Sequence, residues 1–271
     1  MDNLKNIRIV LIEPSHPGNI GAVARSMKTM GLQRLTLVNP KKFPHSEATK
    51  RAAGAESVLL SAQVAAGVKE AIADCNMVLG TSVRDREVSW PTHDPRVAAS
   101  MVEKHFRRSH NGEAGCCELQ QVAILFGRES SGLTNEELDL CESQIRIPAN
   151  IEYSSLNLAS AVQIIAYELR MAVIKQNPLS EQRTELSNTT AAQRRQLKAT
   201  QTEKEGHMQH LSQTLEQLQF IKAKPATMLM RKLTRLYNKA ELTVEEIQIL
   251  RGILTAIQSR ENGSRKLSDD E

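Results

Sequence analysis

The chain is poor in aromatic residues: Phe, Trp and Tyr make up only 3 % of its 271 residues. RNA-binding modules that stack bases on a sheet need more rings than that. No apolar run approaches the roughly 18 residues that a membrane-spanning helix requires, and the N-terminus carries no secretory-signal pattern. A cytoplasmic protein with no membrane partner is the expectation. The four cysteines, Cys75, Cys116, Cys117 and Cys141, form no C-x-x-C pair, which points to reduced thiols rather than disulfides or a metal centre. His207 and His210 lie one helical turn apart, but nothing nearby completes a ligand set. Both are read as surface residues, and no metal is expected. Also missing are a G-x-G-x-x-G fingerprint, a Walker lysine, a Ser-His-Asp set and a pair of isolated carboxylates. These absences disfavour dinucleotide-dependent redox chemistry, phosphate-loop binding and hydrolysis by an activated nucleophile. What remains is a binding site for a reactive cofactor, with few catalytic groups of its own.

Charge is uneven along the chain. Residues 1–174 hold 19 Lys and Arg against 19 Asp and Glu, while residues 175–271 hold 16 against 12. The formal excess of +4 therefore lies in the last third. A localised basic surplus suits RNA contact, and it equally suits an ordinary solvated helix.

The first 174 residues alternate strand and helix signals. Strand-like runs are Ile7–Glu13, Leu35–Asn39, Asn76–Thr81, Val122–Gly127 and Gln144–Pro148, separated by Ala-rich segments around 21–30, 46–53, 64–73, 96–106 and 134–141. This rhythm predicts an α/β fold: a parallel sheet with helices on both faces, spanning residues 1–175. From Ser155 to Ile174 the residues Leu158, Ala161, Val162, Ile165, Ala166 and Leu169 share one helical face, the mark of a core helix. Residues 176–205 are dominated by Gln, Thr, Ser, Glu and Arg, too polar to offset their ordering entropy, and are expected to form a flexible linker with a frayed helix around 191–204. A small all-helical extension is expected over 206–260, with helices near 207–220, 226–238 and 243–259, followed by an unstructured tail at 261–271. In its middle helix Arg231, Lys232, Arg235 and Lys239 fall on one face, and Leu229, Leu233 and Leu236 on the other.

Three phrases carry the chemistry, each placed where a strand hands over to a helix, the edge at which open α/β sheets bind ligands. They are Asn19-Ile20-Gly21-Ala22-Val23-Ala24-Arg25, Phe126-Gly127-Arg128-Glu129-Ser130-Ser131-Gly132-Leu133, and Ile147-Pro148-Ala149-Asn150 running into Tyr153-Ser154-Ser155-Leu156-Asn157. Gly18 and Gly21 permit close approach of backbone or ligand at a helix start. Val23, Met27 and Met30 form the buried stripe of that helix, and Arg25 points roughly opposite, into solvent or toward a ligand. The strand ending Met77-Val78-Leu79 runs into Gly80-Thr81-Ser82-Val83-Arg84-Asp85-Arg86, offering amides and hydroxyls to a polar ligand. Arg84 and Arg86 there either clamp a nucleic-acid phosphate or pair with Asp85, Glu87 or Asp94. Trp90, beside Pro91, reads as a loop anchor.

Together these phrases resemble the SPOUT superfamily of RNA methyltransferases, in its 2′-O-methylating branch. The signatures N-x-G-x-x-A-R, F-G-x-E-x-x-G-L and I-P-…-S-L-N stand in order at Asn19–Arg25, Phe126–Leu133 and Ile147–Asn157. The stretch Ala149–Ala159 and the later Ile249-Leu250-Arg251-Gly252-Ile253-Leu254 narrow the likeness to enzymes that methylate cytidine or uridine at position 32 of the tRNA anticodon loop. The resemblance implies a C-terminal trefoil knot in the first domain, a homodimer with active sites at its interface, and tRNA as partner. It implies an S-adenosylmethionine pocket of Thr81, Ser82, Val83, Gly127, Ile147, Ser154, Ser155 and Leu156. It further implies that Arg25 is the catalytic residue, with Asn19, Glu129 and Ser155 at the reacting centre. Asn19, Arg25, Arg84 and Arg86 would face the RNA, and the stripe Arg231, Lys232, Arg235 and Lys239, read from its helix face, is expected to contact phosphates as well. Two rivals stand beside this reading: the same chemistry on a ribosomal RNA loop, and a catalytically silent RNA-binding relative.

Overall fold

Ile7–Ile12 forms β1, and all six of its residues are buried. The one charge among them, Arg8, is tied down: its guanidinium donates to both carboxylate oxygens of Asp74 at 2.6 and 2.7 Å and to the Ala71 carbonyl at 2.6 Å. Pairing of that kind is what makes a buried charge tolerable. A strand buried on both faces belongs in the middle of a parallel sheet, and β1 lies between β2 (Arg34–Val38) and β6 (Val122–Phe126).

In the computed structural model, residues 2–83, 90–110, 120–150, 152–176, 197–221 and 227–268 are described. The chain divides into two compact units, Met1–Thr189 and Thr190–Glu271. The first holds a seven-stranded sheet in the order β3-β2-β1-β6-β4-β7-β5, with every pairing parallel. Its other strands are β3 (Gln63–Ala65), β4 (Met77–Thr81), β5 (Thr92–His93) and β7 (Ser143–Ile145).

Alternation along the strands supplies two cores, one on each face, as an α/β layer requires. Ile7, Ile9 and Leu11 face α1 (Pro17–Met30), α2 (Ser46–Ala52), α5 (Pro95–His110) and α7 (Leu158–Gln176). Val10 and Ile12 face the other way, with Ala71 and Ile72 of α4 (Val68–Ile72), Leu138 of α6 (Asn135–Asp139) and the buried Trp90. A short helix, α3 (Glu56–Leu60), completes the layer. Trp90 is the loop anchor expected of it. Two strands escape the sequence reading: β3 takes the start of the segment expected to be helical over 64–73, and β5 is only two polar-flanked residues long. Both are outermost in the sheet, where no continuous apolar run is needed.

Among the described residues, the second unit holds the helices α8 (Gln201–Gln217), α9 (Thr227–Lys239) and α10 (Val244–Ser268). Their bounds correct two expectations. Helix α8 begins at Gln201 rather than near 207, inside the linker stretch read as a frayed helix, because Thr200 and Glu203 form a capping box: the Thr200 amide donates to Glu203 Oε2 at 2.8 Å and the Glu203 amide to Thr200 Oγ1 at 3.3 Å. Just before it, Leu197 and Ala199 are buried, and Ala199 N–H donates to the Leu242 carbonyl at 2.8 Å. The rest of the linker, 177–196, lies outside the described residues. At the other end α10 continues to Ser268, past the expected boundary at 261. Thr243 and Glu246 cap its start, and once a helix is nucleated each further residue adds a hydrogen bond at little cost. The surface role expected for His207 is also corrected. Its ring is 1 % exposed and meets Tyr237 edge-on, with centroids 4.7 Å apart.

Candidate functional site

The carboxyl ends of β4, β6 and β7 open into one cavity of about 690 Å³. Its walls come from the strand ends and the loops that follow them, at 81–83, 126–132, 145, 147 and 153–158, with Asn19 from α1 and Ala161 from α7. All eight residues nominated for cofactor contact line it: Thr81, Ser82, Val83, Gly127, Ile147, Ser154, Ser155 and Leu156. So do Asn19 and Glu129. Asn19 and Asn157, 138 positions apart in sequence, are thus gathered at one sheet edge.

Glycine 127 allows the middle loop to fold back on itself. A Cβ there would lie 2.1 Å from the Gly132 carbonyl carbon, so only glycine fits. Arg128 and Gly132 pair across the loop, N–H to carbonyl, at 3.2 and 2.8 Å. Gly132 itself holds φ at 69°, and a Cβ on it would meet nothing within 4 Å. Of the two close approaches read for Gly21, backbone and ligand, the structure shows the first. A Cβ at Gly21 would lie 2.1 Å from the Ala48 carbonyl oxygen, so the motif glycine is there to let α1 and α2 touch.

Glu129 is the hub of the site. Its carboxylate accepts from the Ser15 amide at 3.1 Å, the Ser15 hydroxyl at 3.0 Å and Asn19 Nδ2 at 3.2 Å. Asn157 Nδ2 in turn donates to Asn19 Oδ1 at 3.3 Å. One hydrogen-bonded chain therefore joins all three phrases, and Asn19 is its middle link. Partial burial disfavours a charge on Glu129, but donation from Asn19 and Ser15 outweighs it and holds the carboxyl below its ordinary range.

The next residue back faces the other way. Arg128 Nη1 and Nη2 donate to the two oxygens of Glu137 at 3.1 and 3.0 Å, and Nη2 donates to Glu13 Oε1 at 2.6 Å. The Arg128 hydrogen bond holds the Glu13 carboxyl below its usual value. Sequence reading passed over Ser15, Glu13 and Arg128. The only trace of Arg128 was its place inside F-G-R-E, and the acids it binds lie 115 residues before it and 9 after.

Thr81 Oγ1 donates to the Leu125 carbonyl at 2.9 Å and the Ser82 amide to the Ile145 carbonyl at 3.1 Å, fixing the strand ends that frame the cavity. Val83 and Leu156 are partly exposed apolar walls, at 45 % and 38 %. Arg25 sits on the exposed side of α1 and is not among the residues lining the cavity. Arg84 and Arg86 lie outside the described residues. On α9, Lys232 and Lys239 are exposed and Arg231 and Arg235 half-buried. Of the leucines expected on the opposite face, Leu229 and Leu233 are half-buried, whereas Leu236 is 61 % exposed. Among the described residues no cluster of His, Cys, Asp or Glu could hold a metal ion, and no helix is long and apolar enough to cross a membrane.

Residues 6–167 match the SpoU rRNA Methylase family, and residues 202–267 match the C-terminal domain of the tRNA methyltransferase TrmJ. The chain is 43 % identical over 268 residues to the tRNA (cytidine/uridine/adenosine-2′-O-)-methyltransferase TrmJ of Pseudomonas aeruginosa strain UCBPP-PA14, covering 98 % of this chain and 100 % of that protein. It is 44 % identical to the tRNA (cytidine/uridine-2′-O-)-methyltransferase TrmJ of Pectobacterium atrosepticum, over 94 % of this chain and 98 % of the relative. The crystal structure of TrmJ from Z. mobilis ZM4 is similar with a TM-score of 0.73 at 32 % identity, covering 93 % of this chain and 98 % of that one.

Proposed function

The chain belongs to the SpoU rRNA Methylase family, and from that premise we propose that it methylates the ribose 2′-OH of cytidine or uridine at position 32 in the tRNA anticodon loop. S-adenosylmethionine is the methyl donor, and the cytoplasm its place of work. The observation that carries this reading is the single cavity at the ends of β4, β6 and β7, lined by all eight nominated residues and hydrogen-bonded to Asn19 through Glu129. Relatives 43 % and 44 % identical over nearly the whole chain bear names for this chemistry on tRNA.

The residues present fit a nucleoside-sized cofactor. A cavity of about 690 Å³ falls in the range of small-molecule sites. The open space beside Gly132 leaves room where a side chain would intrude. Thr81, Ser82, Gly127, Ser154 and Ser155 would hold its polar groups, and Val83, Ile147 and Leu156 its apolar faces. When bound, S-adenosylmethionine supplies a methyl group already activated by its sulfonium.

The protein must then hold the ribose oxygen in line and let its proton pass to solvent. Arg25 is assigned that second task. A guanidinium stays protonated at any working pH, so Arg25 acts electrostatically, lowering the hydroxyl pKa or holding the adjacent phosphate, rather than as a literal base. Glu129 holds Asn19 in the cavity wall that Ser155 also lines. Since Arg25 does not line the cavity of its own chain, the proposal includes a homodimer in which each protomer completes the other's site. It also includes a trefoil knot formed by the segment after β7. Family likeness alone supports the knot, since chain-topology rules give knots a very low prior.

Nucleotide-resolution mapping of 2′-O-methyl groups on tRNA incubated with the purified protein and S-adenosylmethionine tests the proposal. A new methyl at nucleotide 32 is expected. Methylation of ribosomal RNA instead, or none on any RNA, would overturn it.

A further inference from the structure

The equal numbers of cations and anions over residues 1–174 hide a sharp local imbalance. Between Pro14 and Ala55 stand seven Lys and Arg and a single acid, Glu47. The remainder of that span holds 12 cations and 18 acids. All seven cations are exposed, and six of them stand along one part of the fold: Arg25 and Lys28 on α1, Lys41 and Lys42 in the loop after β2, and Lys50 and Arg51 at the end of α2. The seventh, Arg34, is bound to Gln121 at the start of β2.

These side chains are neighbours in space as well as in sequence. Arg51 lies against Gly18 and Gly21 of α1, within 3.7 and 2.9 Å of where their Cβ atoms would be. Lys28 Nζ donates to the Gly54 carbonyl just past α2 at 2.7 Å. The Lys41 amide donates to the Pro14 carbonyl at 3.2 Å, one residue before the serine that holds Glu129. The basic surface therefore begins at the rim of the cavity and follows the α1–α2 pair.

What separates these cations from others in the unit is the lack of partners. Arg8, Arg96, Arg107 and Arg128 are each paired with a carboxylate. Arg25, Lys41, Lys42, Lys50 and Arg51 make no side-chain hydrogen bond or ion pair among the described residues. The acids near them are few, Glu13 acting on Lys41 and Glu47 on α2 beside Arg51; like charges in such excess repel one another, and a polyanion relieves that repulsion.

We propose that Lys41, Lys42, Lys50 and Arg51 form a phosphate-binding surface on the catalytic unit, which seats the sugar–phosphate backbone of the tRNA beside the cavity. This rests on the function proposed above and adds to it the place where the substrate's backbone runs. Such contacts position the nucleic acid without reading its sequence, and each adds roughly 0.7–0.9 to the slope of log affinity against log salt.

The test is the full-length variant Lys41→Ala/Lys42→Ala/Lys50→Ala/Arg51→Ala, with Arg25 left intact. KM for tRNA should rise at least tenfold at physiological salt while kcat at saturating tRNA stays within twofold. The salt slope of tRNA binding should fall by about 2 or more. Affinity for S-adenosylhomocysteine, by calorimetry, and sedimentation behaviour should match the parent. A charge-conserving variant, Lys41→Arg/Lys42→Arg/Lys50→Arg/Arg51→Lys, should keep parental affinity and slope, and separates lost charge from poor folding. An unchanged slope and KM in the alanine variant overturns the proposal. So does a change in oligomeric state, which would make the patch an interface between copies of the chain. Failure of the function itself would look different: a parent protein that binds tRNA with a steep salt slope yet methylates nothing at nucleotide 32.

Discussion

Arg128 reaches Glu13 across 115 residues of sequence, Nη2 to Oε1 at 2.6 Å, while its neighbour Glu129 holds Ser15 and Asn19 from the other side. The loop after β6 is thus fastened to the loop after β1 at two adjacent positions pointing opposite ways. Replacing Arg128 with Met should lower stability by about 1–3 kcal/mol, the range for charged hydrogen bonds whose partners are left behind. It should also weaken S-adenosylhomocysteine binding, because the cavity wall 127–132 loses its anchor. Glu13 adds a pH signature. Its folded pKa is depressed, so its contribution is full above the unfolded value of about 4.3 and is lost as pH falls through the folded one. Denaturant titrations at pH 7 and pH 3.5 should show the gap between parent and Glu13→Gln narrowing at the lower pH. A gap that stays constant would refute the coupling.

Two motif glycines should respond differently to alanine. Gly21→Ala forces a Cβ to 2.1 Å from the Ala48 carbonyl oxygen, and overpacking of this sort costs about 1–3 kcal/mol. Its melting temperature should drop, with cofactor affinity in the remaining folded protein near that of the parent. Gly127→Ala collides with the Gly132 backbone inside the cavity wall, so it should lose both stability and cofactor affinity. Calorimetry on the two variants side by side distinguishes them.

Arg25→Ala should abolish methyl transfer and leave S-adenosylhomocysteine affinity nearly intact, since Arg25 is exposed and does not line the cavity. Single-turnover assays with radiolabelled donor measure the first, calorimetry the second. Full activity in the variant would remove Arg25 from the mechanism.

Ending the chain after Lys175 should leave a folded dimer that binds cofactor but holds tRNA poorly, as measured by filter binding. Substituting Ala at Arg231, Lys232, Arg235 and Lys239 should reduce both tRNA affinity and its salt dependence. An unchanged salt slope would mean that these charges only solvate α9.

Burial pushes the Cys75 thiol up to about 12, and Cys141 is raised by burial as well. The thiolate is the reactive form, so both should resist alkylation by iodoacetamide at pH 8 in the folded protein. Peptide mapping should find them labelled readily once the chain is unfolded in guanidinium. Rapid labelling in the native state would contradict the burial.

The sheet's interior was legible because burial on both faces writes continuous apolar runs: the runs expected from Ile7 and Val122 became β1 and β6 to within a residue. Edge strands carry no such run, and Thr92–His93 reads as loop in any window. The cavity residues were legible through motif likeness, whereas the Glu13–Arg128–Glu137 tie was not, since pairing between distant charges leaves no local period. His207 misled because a histidine among polar neighbours looks solvated, yet the Tyr237 ring covers it. Averaging charge over 174 residues concealed the basic stretch between Pro14 and Ala55.

The strand order also sets a timetable for the growing chain. β1 finds β2 within some thirty residues, and β3 follows by Ala65, so one half of the sheet can assemble early. The other edge of β1 and both edges of β4 must wait for residues beyond Val122. At 5–20 residues per second that is a delay on the order of ten seconds. During it an unpaired apolar strand sits beside the ribosome, the condition under which misassembly competes. Slowing translation ahead of residue 122 would lengthen that exposure, whereas slowing it after residue 145 would leave β1 already enclosed.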